Sequence, residues 1–559
     1  MNRWGTPSSA AGTGTAMGAA IGIAGVVFVL YVLTMPTVLP ESGDAMAQTS
    51  ASLRQPIELN PHHLLVVPAD RLALAISRGL TDRIPPFLPI QVLNSLAGAT
   101  ACGLFLFWLT RLGIPTAVAI PYTLALATTF VHWLHSREAE TGILANLFLL
   151  VTVNLLPLAT ARRSSVFLAA GSAVLTILSA LNTAVLVPAL GVMDIADSDR
   201  RARRRLLTGF LVATAVGTVA AFLVLPWMTA GTPPRDLLAQ IASHPSSVRL
   251  AEHGQLSFAN VLRAGSGLIN ALTGDTAVTT ALKARLLGKA VIPLGSWDWI
   301  RFGLGALLGL HLLLALLDRP HGGRERTLWL ATWAAFLPTA LFNLLWLGSD
   351  PQFWLPILPF LGAWSAFRIL RSARPRRAGA PLGASAIVLP AMAALILAVV
   401  NWPTAVPTTV NPRGGPVWQR ARAFAEVVQP GDLFLHNGGF GPYLQSMGFD
   451  GAVSLVWTLP PRKGEYERAL FAHVDSTHAH GGRVYAENVF GRVTAANAGG
   501  WEEIVAISGH GHEEWLRMLR SRYDVQPTQP PIYGDLWEIR VRAPGSDQPN
   551  PPERSETSP

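Results

Sequence analysis

Glu41-Ser42-Gly43-Asp44, followed by Asn60-Pro61-His62-His63, places two carboxylates and two imidazoles in one short polar stretch. Such side chains can take a proton from an attacking hydroxyl or hold a divalent cation. Ser42 is a suitable N-cap, which sets Asp44 in a first helical turn where the helix dipole stabilises its charge. Asn60 before Pro61 reads as a second helix start, with His62 and His63 in its first turn. That helix carries Leu64, Leu65, Leu72, Ala75 and Ile76 on a broad apolar face, the pattern of an interfacial helix. The plainer alternative is an Asp44 that only serves the dipole, beside solvated histidines.

Three further groups carry chemistry. His132, His135, Arg137, Glu138 and Glu140 lie close together at the edge of an apolar block. Carboxylates near a bilayer are costly and face a cavity or a partner; the alternative is an Arg137–Glu138 pair that marks a helix end. Lys283, Arg285 and Lys289 interrupt the apolar stretch 276–290, as an interfacial helix meeting a lipid phosphate would require. Ordinary snorkelling beside anionic headgroups explains them equally well. Asp350 opens Asp-Pro-Gln-Phe-Trp-Leu-Pro356-Ile-Leu-Pro359, a helix start with two prolines in the apolar run that follows.

The elements that position these groups are membrane spans. Of 559 residues, 50% are hydrophobic and 14% charged, with mean hydropathy +0.35; soluble domains carry about 25% charged residues. The net charge of +9 is almost wholly arginine, since only Lys283, Lys289 and Lys463 are lysines. Arginines beside apolar blocks orient membrane helices, and nothing resembles a nucleic-acid patch. The only cysteine, Cys102, lies inside an apolar block, which excludes an internal disulfide and a thiolate metal site. The first block reads as an uncleaved signal anchor, because the small-residue triplet Ala45-Met46-Ala47 lies too far beyond it for cleavage.

Full spans are expected near 17–35, 88–110, 114–134, 141–160, 207–228, 299–318, 327–347, 352–370 and 382–402. With the N-terminus in the cytoplasm, the inner turns hold Arg111, Arg162-Arg163, the run 200–205, Arg319–Arg326 and Arg368–Arg377, as basic residues should distribute. One span over 166–192 would break this pattern. That stretch is interrupted at Ser179-Ala180-Leu181-Asn182 and at Pro188, so two short helices that enter and return restore it. Nine crossings plus one re-entrant pair put the C-terminus outside. The segments 36–87, 229–298 and everything after Pro403 then share the outer face.

Beyond Pro403 the sequence turns globular. Strand-like 432–436, 452–457, 483–487 and 536–541 alternate with helix-like 418–428, 464–474 and 513–521, which predicts a small α/β domain. The glycine loop 437–441 lacks dinucleotide spacing, and His436, Tyr443 and Asp475 form no recognisable triad. The expected division is 1–403, 404–543 and a Pro/Ser/Glu-rich disordered tail, 544–559.

In this order, the outer-face pieces resemble the membrane glycosyltransferases of the GT-C fold, nearest to the bacterial protein O-mannosyltransferase-like branch. The family's Asp-Ser-Gly-Glu loop and His-Pro helix start are matched by Glu41-Ser42-Gly43-Asp44, with the two acids exchanged, and by Asn60-Pro61-His62-His63. Its Glu opening span four matches Glu140, and its charged residue before an aromatic-Leu-Pro…Pro span matches Asp350 through Pro359. The resemblance covers about residues 15–400. It implies transfer of a sugar from a polyprenyl-phosphate-linked donor to a glycan, lipid or protein hydroxyl on the outer leaflet. Asp44 would be the base, with Glu41 second. Arg137, Lys283, Arg285 and Lys289 are candidates to stabilise the leaving phosphate. Glu140, His62, His63 and Asp350 are further donor-site candidates, and a divalent metal on Asp44, Glu140 and His63 is compatible with the ligand set.

A flippase or transporter would show internal repeats and midplane charges, whereas here the charges gather at one face. A non-catalytic assembly protein and a lipid-linked glycan polymerase stay open. Arginine- and alanine-rich, lysine-poor composition suggests a GC-rich bacterium, hence its inner membrane.

Overall fold

The structure is a computed structural model. It describes residues 10–36, 48–49, 51–53, 62–80, 87–159, 163–195, 200–230, 257–274, 277–278, 281, 285, 294–346, 350–373, 383–405, 423–436, 444, 449, 451–455, 464–487, 504–505, 508–528 and 536–542. The chain divides into two compact units, 1–415 and 416–559.

The first unit is helical. Its helices are α1 (Ala10–Leu33), α2 (Val66–Leu80), α3 (Phe87–Arg111), α4 (Thr116–Thr128), α5 (Phe130–Arg137), α6 (Gly142–Ala159) and α7 (Arg163–Ser179). Then come α8 (Val187–Ile195), α9 (Arg200–Ala230), α10 (Phe258–Thr273), α11 (Ser296–Leu317), α12 (Gly323–Leu345), α13 (Leu358–Ala373) and α14 (Ser385–Ala405). Short 3-10 turns, Leu181–Leu186 and Pro351–Ile357, lead into α8 and α13.

Among the described residues, seven helices are long and apolar enough to cross a membrane, and the bent pair α4–α5 makes an eighth. The ninth expected span, 141–160, is α6, whose 18 residues rise about 27 Å, just short of a hydrocarbon core about 30 Å thick. Exposed apolar side chains such as Val216 on α9, Leu314 on α11 and Leu395 on α14 form the surface that lipid would cover.

The interruption expected after Ser179 is real. A side chain on Gly209 would reach Val166, and one on Gly217 would come within 2.9 Å of Val174, so α7 runs parallel to α9 from the same level. A side chain on Gly191, near the end of α8, would meet Leu207 at the start of α9. The chain therefore climbs along α7, turns at Ala180 and returns through α8 to the end it left. It is a re-entrant pair.

The bend between α4 and α5 was not expected. The axes turn by 66° at Thr129. Thr128 Oγ donates to the Leu124 carbonyl and Thr129 Oγ to that of Leu126, back-bonding that loosens a helix at a Thr-Thr step. Carbonyls freed at the break are taken by other helices. Tyr31 Oη donates to Ala127 O at 3.0 Å, and Asn401 Nδ2 to Thr128 O at 2.8 Å. Broken helices are tolerated in a membrane only with such repair.

The second unit is an α/β domain. Its strands are β1 (Leu433–His436), β2 (Ala452–Ser454), β3 (Val484–Glu487), β4 (Tyr523–Pro527) and β5 (Leu536–Val541), in the order β2-β1-β3-β5-β4. β1 is parallel to β2 and β3, while β5 runs antiparallel to β3 and β4. Helices α15 (Glu465–Ala479) and α16 (His512–Arg522) supply Tyr466, Leu470, Val474, Trp515 and Leu519 to the core over Leu435, Val484 and Ile539. Strand β4 escaped the sequence reading, because Tyr-Asp-Val-Gln-Pro is short, polar and continuous with α16.

Candidate functional site

One end of the helical bundle holds His62, His63 and the 135–140 turn, which are described residues among the groups singled out in the sequence. It is called the loop face, because residues 62–80 lie there. His62 and His63 precede α2 rather than forming its first turn, since the helix starts only at Val66, past Pro61. They are fixed by the tip of the re-entrant pair instead. Leu181 N donates to His62 O, Leu65 N to Leu178 O, and His63 Nδ1 lies 2.9 Å from Ser179 O. The His62 ring meets Trp346 edge-on. On α2 the large apolar side chains Leu72, Ile76 and Leu80 are exposed at helical spacing, with Ala75 exposed beside them, whereas Leu64 is buried.

The turn after α5 is built with more constraint. Asn94 Nδ2 on α3 donates to both Glu138 O at 2.7 Å and Glu140 O at 2.8 Å, and Ser95 Oγ donates to Ser136 O. Gly98 lets α3 approach this closely: a Cβ there would fall 2.0 Å from Ser136 Oγ. The Arg137 guanidinium donates to Thr34 O, at the end of α1, and to Glu138 Oε1 at 2.9 Å. This ion pair is almost wholly buried, and burial lifts the Glu138 carboxyl above its ordinary range against the pull of Arg137. Arg137 and Glu138 thus form the pair weighed above, but inside the protein rather than at the interface. The Glu140 side chain is also buried.

Asp70 on α2 is fully buried, with Oδ2 accepting from Gln48 Nε2 at 2.7 Å and from Ser52 Oγ at 3.2 Å. Desolvation pushes its carboxyl up to about 7 even though both bonds favour the charged form. It thereby ties the stretch just after Glu41–Asp44 to α2.

Asp350 serves as the N-cap of the 3-10 turn, accepting from Gln352 N and Nε2. Arg285 is exposed. Glu41, Asp44, Lys283 and Lys289 lie outside the described residues. Among the described residues, no three of His, Cys, Asp and Glu group to hold a metal ion.

Several residues at this end were not anticipated. Arg301, buried on α11, donates to Thr273 O and Gly274 O and so closes the C-terminus of α10. Gly274 is left-handed there (φ 62°) and abuts Phe130, so no side chain fits. Helix α10 itself lies in the third loop upstream of the helix expected at 276–290. Gln91, Asn146 and Asn343 are buried on three helices near the loop face, and no side-chain nitrogen or oxygen of theirs has a partner among the described residues. Buried polar atoms left in that state cost about 1–3 kcal/mol each. Polar residues inside apolar spans were the available signal.

Deeper in the bundle lies an apolar cavity of about 330 Å³, lined by residues such as Phe105, Leu126, Leu308, Leu312, Leu389 and Leu397. Its polar edge is Tyr122, His311 and Ser365, with the Ser365 hydroxyl 3.3 Å from both partners.

The sequence matches no known protein family, and no curated protein matches it either. Solved structures do. ArnT from Cupriavidus metallidurans bound to undecaprenyl phosphate superposes with TM-score 0.50 over 93% of this chain and 97% of that one, at 13% identity. The same protein in the apo state also gives TM-score 0.50, at 12% identity and 96% coverage of its chain. The match shows that the chain is a polytopic membrane protein of the GT-C fold.

Proposed function

We propose that this chain transfers a sugar from a polyprenyl-phosphate-linked donor to an acceptor hydroxyl on the extracytoplasmic face of the bacterial cytoplasmic membrane. The observation that carries the reading is the convergence at the loop face of a fixed acidic turn (138–140), the His62–His63 segment and buried polar side chains from α3, α6 and α12. An apolar cavity inside the same bundle suits an isoprenoid tail. That the ArnT structure of this fold holds undecaprenyl phosphate supports the donor class.

In the proposed reaction the acceptor oxygen attacks the anomeric carbon, the bond from that carbon to the phosphate oxygen breaks, and polyprenyl phosphate departs. Asp44 takes the hydroxyl proton, with Glu41 as the second candidate. General-base help of this kind contributes about 10²–10⁴-fold. Cationic groups lower the cost of the leaving phosphate; Lys283, Arg285 and Lys289 are the candidates on the third loop, with Arg137 beside Glu138. Asp44, Glu140 and His63 have the donor chemistry for a divalent cation, which would add Lewis-acid stabilisation of that phosphate when bound.

The test is release of polyprenyl phosphate from a panel of undecaprenyl-phosphate-linked sugars by purified protein in nanodiscs, comparing wild type with Asp44→Asn and Glu41→Gln. Transfer by the wild type and its loss in Asp44→Asn are expected. Full transfer by both variants would remove the first-loop base. Failure of the wild type to bind any of these donors would overturn the reading itself.

A further inference from the structure

We propose that the cavity between α11 and α14 binds a neutral single-chain lipid alcohol, which enters sideways from the bilayer and sets its hydroxyl among Tyr122, His311 and Ser365. The site lies apart from the loop face and stands with or without the transferase reading. Leu389 of α14 and His311 of α11 line the cavity and are also exposed. Leu310, Leu314 and Leu395 on the same two helices belong to the surface that lipid covers, so the opening faces hydrocarbon. The end nearer the loop face, at Thr129 and Leu272, is closed. There Asn401 Nδ2 donates to Thr128 O and Leu272 O, both at 2.8 Å, and ties the α4–α5 break to the end of α10.

Along α13 the lining runs from Leu358 to Ile369, about 16 Å by helical rise. The volume of about 330 Å³ falls among small-ligand sites, which span about 300–1,000 Å³. The polar groups stand away from the loop face. His311 lies six residues before Leu317, Tyr122 six after Thr116 and Ser365 eight before Ala373. That places them about 9–12 Å inside the helix ends beside which Arg111, Arg319 and Arg371 stand. An ionisable side chain at such depth is costly and marks a ligand path or a partner. His311 bears that cost on an exposed side of its span.

The surroundings define the ligand class. A structural clasp between three helices would be tighter than this one. Ser365 Oγ lies 3.3 Å from both Tyr122 Oη and His311 Nε2, whereas good hydrogen bonds of these kinds measure about 2.7–3.0 Å. His311 Nδ1 has no partner among the described residues. A ligand hydroxyl brings one donor and two acceptors, which suits an imidazole nitrogen and a phenol together. The lining holds no Lys or Arg, and Arg368, one turn from Ser365, is engaged by Asp318 at 2.9 Å. Phosphate therefore finds no counter-charge. A bare hydrocarbon chain, such as the far end of a donor's tail, would fit the walls but desolvate the three polar groups without bonding to them. An apolar chain that ends in a hydroxyl uses both parts of the cavity.

Tritiated farnesol would be titrated onto full-length protein in nanodiscs, with binding to empty nanodiscs subtracted. Saturable binding is expected. Unlabelled farnesol should displace the label at least about tenfold better than farnesene, which lacks the hydroxyl, or farnesyl phosphate, which adds charge. Tyr122→Phe and His311→Leu should each weaken farnesol at least about tenfold, or 1.4 kcal/mol, and Ala393→Trp, which fills the cavity, should abolish binding. If His311→Leu or Ala393→Trp lowers the melting temperature, the near-isosteric Tyr122→Phe decides alone. Absence of saturable binding, equal displacement by farnesene or by farnesyl phosphate, or an affinity indifferent to Tyr122→Phe overturns the site.

Discussion

Asn94 offers the sharpest test of how the loop face is assembled. Its amide donates to the carbonyls of both Glu138 and Glu140, at 2.7 and 2.8 Å. Asn94→Asp keeps the shape and removes the NH₂, and Asn94→Ala removes the side chain. Interhelical hydrogen bonds in membrane proteins average about 0.6 kcal/mol and reach about 1.7, so the pair contributes roughly 1–3 kcal/mol. A loss of that size shifts melting by several degrees at most and leaves the protein folded at 25 °C, given stabilities of about 5–15 kcal/mol. Catalytic geometry is less forgiving, since a displacement near 1 Å costs about 10²-fold. The expected result in the nanodisc assay is therefore a fall in turnover near 10²-fold with only a small drop in melting temperature, for both variants. Turnover within twofold of wild type in a variant that melts earlier would show that the 138–140 turn supports the fold and not the reaction.

Asp70 predicts a pH-dependent stability. Its folded-state carboxyl is raised to about 7 from 3.8, so between those values the native state binds more protons than the unfolded one, and stability falls as pH rises through that window. Asp70→Asn, which keeps an oxygen for Gln48 and Ser52, should raise the melting temperature at pH 8 and change it little at pH 4; a shift equal at both pH values would refute the assignment. At the α3–α5 contact, Gly98→Ala should destabilise by about 1–3 kcal/mol, because its Cβ collides with Ser136 Oγ and, at 2.7 Å, with Ser136 Cβ. Ser136→Gly in the same chain should restore most of the loss in a thermal melt; no rescue would place the strain elsewhere.

Much of this architecture was legible because a bilayer leaves few choices. Long apolar blocks must be helices, and arginine clusters at their ends fix which turns share a side. The conflict between Arg163 and Arg200 could be resolved only by a hairpin, and α7 and α8 form one. The strand–helix alternation after Pro403 was equally plain. Features set by side-chain contacts between distant segments were not. Nothing in the local sequence around Thr129 marks a 66° bend, which depends on Tyr31 and Asn401, from distant helices, taking its loose carbonyls. His62 and His63 looked like a helix start because Asn-Pro is a good one, yet they are held by Ser179 and Leu181, from which they are remote in sequence. Asp350, by contrast, was legible as a helix start, and its side chain caps the 3-10 turn that follows it.

The re-entrant pair and the first loop explain each other. A hairpin that turns inside a membrane protein leaves peptide groups at its tip without helical partners, an expensive state in an apolar surrounding. Here the Leu178 carbonyl and the Leu181 amide are taken by Leu65 and His62, and Ser179 O faces His63 Nδ1. In return, the loop segment is pinned at three points, His62, His63 and Leu65. Replacing the hairpin by a simple crossing would break the arginine pattern and lose that anchor as well. The topology that the charge distribution demanded is thus also what holds the histidine-bearing segment at the loop face, near the turn that Asn94 fixes.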